Sequence, residues 1–368
     1  MKLKHLLLPL FALALGAGFT ACSEDEPSGG NGEPQPDPTP EAAYIINQGN
    51  SYAGVVGTID ELDFYDEKNW NYHVDIFNQA NGKELGKGPQ GAAVSGEKIY
   101  VPMFDENLVW VLDKASLTVI KSIQTNAPEG VCAAGGYVYV SNNDGYVSRI
   151  DTASLTITAH EAVGPNPANL TYSDGYVYVS ISDGYNSAEG YKNGLKVAKI
   201  NATTGKKEAD ISVGMNPGPI AADAEGNIFV VCRGDYAMTQ PKVQKIDAAT
   251  GKVSDFADGS LIAIDGTTIY AIQVVTDWSV QPATSNVSFK SYNTQTGALI
   301  SDSFIDKANP APYPTGIDIN PATHDIFICN DTDANGYASD GLLYIYKQDG
   351  TFREKFTTGI HPVGVVFK

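Results

Sequence analysis

The segment GYVYVSNNDGYVSRIDTASLTI at residues 136–157 is soon followed by DGYVYVSISDGY at 174–185. Both place Val at alternate positions, Val138 and Val140 in the first copy, Val177 and Val179 in the second. Both then run into Asn, Asp and Gly. Period-two alternation closed by turn residues marks a strand half-buried in a sheet. The strand is written twice, while the segment after it changes length and character. The repeated part concerns architecture and the variable part concerns function.

The same pattern extends outward in both directions. KIYVPMF (98–104), NIFVVCR (227–233), TIYAIQV (268–274) and DIFICND (325–331) are strands of the same kind, and convincing helical periodicity is absent. Marker prolines fall at 89, 128, 167, 217, 314 and 362, with two successive intervals of 39 residues. The stretch from 217 to 314 holds two units, the second starting from DGSLIAIDGTTIYAI without the proline. Four-stranded repeats of about 40–45 residues predict propeller blades. A lone blade cannot bury both of its faces, so blades must stack around an axis. Six units run from Gly88 to Thr358, and GIHPVGVVF (359–367) is an inner strand left over. YIINQGN, GTIDELDFYD and WNYHVDIF at the start of the domain supply three strands without an inner one. Together the fragments make a seventh blade that closes the ring and removes its open edges. The expected fold is an all-β, seven-bladed propeller over residues 43–368.

Composition agrees with a turn-rich β protein: 42% apolar residues, 37 Gly and 20 Tyr in 368. The formal net charge of −19 excludes a nucleic-acid binder, which needs a basic footprint. Residues 1–21 have a basic start and an apolar run from Leu6 to Phe19, the pattern of a signal peptide. Phe19-Thr20-Ala21-Cys22 resembles a bacterial lipobox, which implies an acylated Cys22, each buried CH₂ contributing about 0.8 kcal/mol to the anchor. Residues 22–42 read as an acidic, Pro-rich tether without packing potential. Glu24, Asp25 and Glu26 directly after the Cys resemble the export signal of Bacteroidetes surface lipoproteins. That resemblance implies an outer-membrane protein, lipid-anchored and facing outward.

Signals of catalysis are poor, and no enzyme is expected. His73, His160, His324 and His361 belong to different units, and there is no HExxH, CxxC or G-x-S-x-G. Gly86-x-Gly88-x-x-Gly91 spells a dinucleotide fingerprint but opens onto a strand, so a phosphate would meet no helix N-terminus. Cys132, Cys232 and Cys329 each sit in or at the end of an apolar strand and read as buried thiols. The loop NDTDANGYASDG (330–341) has two readings. Asp331, Asp333, Asn335 and Gly336 match the first half of a calcium loop, but position twelve is Leu342 in place of Glu. The same residues are also ordinary turn formers.

In a propeller, the loop after each second strand and the link into the next inner strand emerge on one face. Here those are the variable segments: 47–57, 104–108, 142–146, 182–194, 233–241, 275–286 and 330–341. They carry Asn50, Tyr52, Phe104, Asn142, Asp144, Tyr146, Tyr185, Tyr191, Arg233, Asp235, Tyr236, Asp277, Trp278, Asp331 and Tyr337, and the links add Tyr313 and His361. The opposite face has only short DTAS, NATTG, DAATG and NTQTG turns. Rigid aromatics among hydrogen-bonding groups suit a large, flat, amphipathic ligand.

Two resemblances bear on these residues. YVYVSNNDGYVSRIDT (137–152) and, in part, VQKIDAATG (243–251) are similar to the YVTN/YncE-like bacterial propellers, which implies the fold and little of the function. EGNIFVVCRGDYAMTQPKVQKID (225–247), APYPTGIDINPATHDIFICND (311–331) and YIINQGN resemble the BtuG group of corrinoid-capturing surface lipoproteins of gut Bacteroidetes. This second resemblance implies a protein that binds cobalamin and passes it to an outer-membrane cobalamin transporter. It transfers no contact residues one by one, so the loop residues above are candidates by position. The alternatives are a glycan- or protein-binding propeller without catalysis, and a hydrolase or lyase with a metal at the axis.

Overall fold

The computed structural model of the chain describes residues 42–64, 70–236, 238–277, 279–280, 284–334 and 336–368. The leader, Cys22, the tether up to residue 41, Trp278 and Asn335 therefore lie outside the described residues. No described helix is long and apolar enough to cross a membrane.

The strands form seven four-stranded antiparallel sheets arranged as a β-propeller. Blades one to six follow the chain. Their inner strands are Ala93–Ser95, Pro128–Ala134, Pro167–Ser173, Pro217–Ala222, Leu261–Asp265 and Pro314–Ile319. Blade seven is composite: the C-terminal strand Pro362–Phe367 is innermost, followed by Ala42–Asn47, Thr58–Asp63 and Asn71–His73. Ala43 pairs with Phe367 and Ile45 with Val365, so the termini close the ring. The first strand starts at Ala42, one residue before the expected boundary at 43.

Seven apolar clusters fill the seven interfaces between neighbouring blades. The closing blade is packed on both sides: Ala43, Ile45 and Leu62 meet Phe327, Leu343 and Ile345 of blade six. Tyr44, Ile46 and Ile59 meet Ile99, Val101 and Met103 of blade one. Alternate residues of one strand thus serve two cores, which is why these strands read YIIN or YVYV with few polar interruptions. Burying such a side chain contributes roughly 1.5–3 kcal/mol.

Two expectations need correction. WNYHVDIF is a strand only over Asn71–His73; Ile76–Asn81 is a short α-helix. The Asp75 side chain accepts from Asn78 N–H at its start, and Phe77 is fully buried between blades seven and one. The 275–286 segment is not all loop. Thr268–Asp277 and Thr284–Asn293 are ten residues each, paired out to Asp277 and Thr284. Second strands elsewhere are five or six residues, so this hairpin rises roughly 13 Å beyond its neighbours. Cys132, Cys232 and Cys329 form no disulfide among the described residues, the latter two being buried and Cys132 half-buried.

The plain face is built from one recurring turn. Asp113, Asp151, Asn201, Asp247 and Asn293 each accept with a side-chain oxygen from the N–H three residues on, at 2.7–3.0 Å. Four residues on, the chain adopts positive φ, at Leu117, Leu155, Gly205, Gly251 and Gly297. Left-handed backbone favours Gly. Leu117 tolerates it because its side chain is buried between blades seven and one.

Candidate functional site

The variable loops lie on the opposite face. Ser51–Ala53 is a single 3₁₀ turn whose Asn50 side-chain oxygen accepts from Ala53 N–H at 3.0 Å. It holds Tyr52 fully in solvent. Two bonds tie this loop of blade seven to its neighbours. Asn50 Nδ2 donates to Tyr337 O at 2.9 Å, and Ser51 Oγ donates to Asp105 Oδ2 at 2.6 Å. Tyr337 stacks on His361 with ring centroids 3.9 Å apart and donates its hydroxyl to Gln48 Oε1 at 3.1 Å. His361 Nδ1 lies 2.9 Å from the Asp331 carboxylate. Tyr337 and His361 both have positive φ, uncommon for bulky residues and characteristic of strained sites.

Charge effects connect the remaining loops. The Tyr185 phenol, largely exposed, is pushed above its ordinary value by the partial desolvation of its hydroxyl and then by the Glu129, Tyr52 and Asp105 charges. Tyr337 is raised likewise, by burial and then by Asp331 and Tyr52. Tyr52 of blade seven thus lies within electrostatic range of Tyr185 on blade three and Tyr337 on blade six, while Arg233 of blade four and Glu129 of blade two line the axial cavity. Arg233 lies flat on the backbone of Gly218, where a Cβ would fall 2.3 Å from the guanidinium carbon. Among the described residues the guanidinium has no hydrogen-bond or ion-pair partner. Its attraction to Glu129 acts through space, against the burial that pushes the Glu129 carboxyl up. Glu129 also accepts from Asn143 Nδ2 at 3.0 Å.

Other predicted residues stand apart from this centre. Tyr191 is buried and meets the exposed Tyr236 edge-on at 6.5 Å, joining the loops of blades three and four. Asp235 Oδ1 accepts from Thr239 N–H at 2.8 Å within its own loop. Asn142 is fully buried and its side chain is engaged inside blade two by Thr125 and by Ser148 Oγ. Asp144 accepts from Asn126 Nδ2 at 2.6 Å, and Tyr146 stacks on His160. Phe104 is half-buried, and Asp277 accepts from Ser279 near the tip of the tall hairpin. In the proposed calcium loop, the Asp331 carboxylate is engaged by His361. Among the described residues no three His, Cys, Asp or Glu side chains are grouped to hold a metal ion.

The axial channel is a cavity of about 370 Å³ lined by residues of all seven blades. Leu170, Ile220, Leu261, Ile317 and Val366 contribute apolar side chains, but most of the exposed wall is polar. The charged groups in that lining are Glu129, Arg233 and Asp318. Residues just after the marker prolines are displaced from the ladder by bulges at Pro128/Val131, Pro167/Leu170, Pro217/Ile220 and Pro314/Gly316. Bulges re-aim side chains, and this one turns Glu129 to the lumen. Glu129 and Asp318 were not among the expected site residues. Aligned on the marker prolines, Glu129 stands where other blades have Gln90, Ala168, Gly218, Thr315 and Val363. Asp318 stands where they have Ala93, Cys132, Thr171, Ala221 and Val366. A lone acid in a column of otherwise uncharged residues is the signal that finds them.

Comparisons with known proteins agree on architecture. Hydrazine synthase of Kuenenia stuttgartiensis is similar in structure at a TM-score of 0.60 and 16% identity, over 74% of this chain and 88% of that one. The computationally designed Ika8 protein is similar at a TM-score of 0.55 and 10% identity, over 88% of this chain and 87% of its own. At such identities the likeness shows the fold alone. No curated protein matches the chain. Residues 41–355 match a family described as a domain of unknown function, DUF5074, and the chain belongs to that family.

Proposed function

We propose that the decorated face is a non-catalytic capture site for a broad, flat, amphipathic small molecule, a cobalamin-type corrinoid. On this reading the protein is held by an acylated Cys22 on the outer surface of the outer membrane and passes its ligand to a cobalamin transporter. What supports the proposal is that the Tyr52 loop is hydrogen-bonded to the loops of blades six and one, with Tyr52 in electrostatic range of Tyr185 and Tyr337 and Arg233 lining the cavity of the ring. Tyr52 is fully exposed and Tyr185 about three-quarters so, giving aromatic area at low entropic cost. Arg233 has donors to spare for the amide fringe of a corrin. The ring is already ordered, so capture loses little conformational entropy.

The direct test is calorimetric titration of the purified domain with cyanocobalamin, beside a glycan array. Saturable one-to-one binding supports the proposal. Absence of corrinoid binding with a glycan hit moves the assignment to a sugar-binding propeller.

A further inference from the structure

Two opposite charges stand at the variable-loop end of the axial channel without touching. Pro128 pairs with Asn142 and Pro217 with Cys232, so Glu129 and Arg233 sit where their strands meet the decorated face. Arg233 reaches the lumen by way of a missing side chain. Gly218 holds the position that Gln90, Glu129, Ala168, Thr315 and Val363 hold in other blades. A Cβ on Gly218 would fall 2.3 Å from the Arg233 guanidinium carbon and 2.4 Å from its Nε. The guanidinium thus takes the place of that absent side chain around the channel. Blade three, between the blades of Glu129 and Arg233, has at this position only Ala168, small and fully buried. Both charges line the cavity, yet among the described residues no ion pair or hydrogen bond joins them. Glu129 Oε2 accepts from Asn143 Nδ2 at 3.0 Å. Among the described residues its Oε1 and the Arg233 side-chain donors have no partner.

A lone anion in this gap would gain at Arg233 and lose at Glu129, and a lone cation the reverse. A net-neutral group with an acceptor on one side and N–H donors on the other satisfies both ends. A primary carboxamide is such a group, with its C=O and NH₂ on one carbon. We propose that Arg233 and Glu129 together read one carboxamide arm of the ligand, Arg233 donating to its carbonyl oxygen and its NH₂ donating to Glu129 Oε1. The site so read rests on the corrinoid assignment, whose ligand carries such arms around its rim. It makes Glu129 the residue that tells an amide from the corresponding acid. In the acid, a carboxylate oxygen replaces the N–H and faces Glu129, leaving two acceptors of like charge with no proton between them. Arg233 gains from the added charge, which limits the rejection.

The test is calorimetric titration of the whole domain with cyanocobalamin and with the three monocarboxylic acids made from it by hydrolysing one propionamide arm. Glycine serves as a zwitterion comparison. The expected result is at least one acid bound about tenfold or more weakly than the parent compound. Glu129→Gln should bring that acid to within about threefold of the parent, because its amide offers the carboxylate a donor. Arg233→Met should weaken the parent about tenfold or more, with a thermal scan reporting that the fold is kept. The acid series on the wild type needs no variant, so it decides even where a substitution unfolds the ring. Equal binding of all three acids, a discrimination that survives Glu129→Gln, or indifference to Arg233→Met overturns this assignment alone and leaves capture at the decorated face standing. Absence of cyanocobalamin binding overturns both. Saturable glycine binding that is lost in both variants would overturn it in favour of a zwitterion.

Discussion

The two faces of the ring solve different problems with the same strands. On the plain face, five turns repeat one hydrogen-bond pattern, and hydroxyl and N–H donors three residues on hold Asp113, Asp151 and Asp247 below the usual range. On the decorated side and in the channel, no two loops match, and Glu129 and Asp318 are pushed above it by burial. One face is optimised for the fold. The other holds aromatic area in solvent, an unpaired guanidinium and two half-buried acids, none of which the fold requires. Groups that cost stability and persist on a rigid scaffold mark where function sits.

The largest effect expected from a single change lies on the plain face. Leu117→Ala removes a fully buried side chain from the interface of blades seven and one and costs about 3 kcal/mol. Thermal unfolding should shift down by roughly 4–5 °C, with corrinoid affinity unchanged; a parallel loss of binding would break the division of labour between the faces. Next comes Tyr52→Ala with Tyr185→Ala. It should weaken corrinoid binding by about 10- to 100-fold while the melting temperature moves by no more than about 2 °C, as a titration beside a thermal scan would show.

A smaller effect concerns pH. Asp318 titrates near 6 in the folded chain against 3.8 as a free group, so the folded state holds a proton that the unfolded chain releases. Its favourable contribution is present below the unfolded value and is lost as pH rises through about 6. Asp318→Asn should therefore gain about 1–2 kcal/mol over the wild type at pH 7.5, channel water having reduced the full penalty, and nothing near pH 3.5. The plain-face carboxylates behave with opposite sign, stabilising above their unfolded value and losing that contribution as pH falls through their folded ones. Carboxyl-carbon NMR should place Asp113, Asp151 and Asp247 below 3.8 and Asp318 well above it; a single common range would erase the contrast.

The architecture was legible because strand burial on two sides writes itself as YVYV and because a ring must repeat. Even the closure between YIIN and PVGVVF could be read, since each fragment lacks what the other supplies. The short helix was not legible: Ile76–Asn81 is less than two turns, too short for a period to emerge. Nor was the extension of the blade-five hairpin, whose Thr, Asn and Ser residues read equally as loop. Within the site, sequence gives which loop a residue occupies but not which way it turns. Asn142 and Asp144 are two residues apart, one fully buried and one turned outward. Glu129 and Asp318 escaped notice because the marker prolines served to count blades and not to compare columns.

The central claim is that a guest is held at the aromatic mouth of the closed ring. Hydrogen–deuterium exchange with and without saturating cyanocobalamin tests it most directly. The account predicts slowed exchange confined to segments 48–57, 182–194 and 233–241, with the turns at 113–118, 151–155, 201–205 and 247–251 unchanged. Protection on those turns instead, or no change anywhere at saturating ligand, would contradict it.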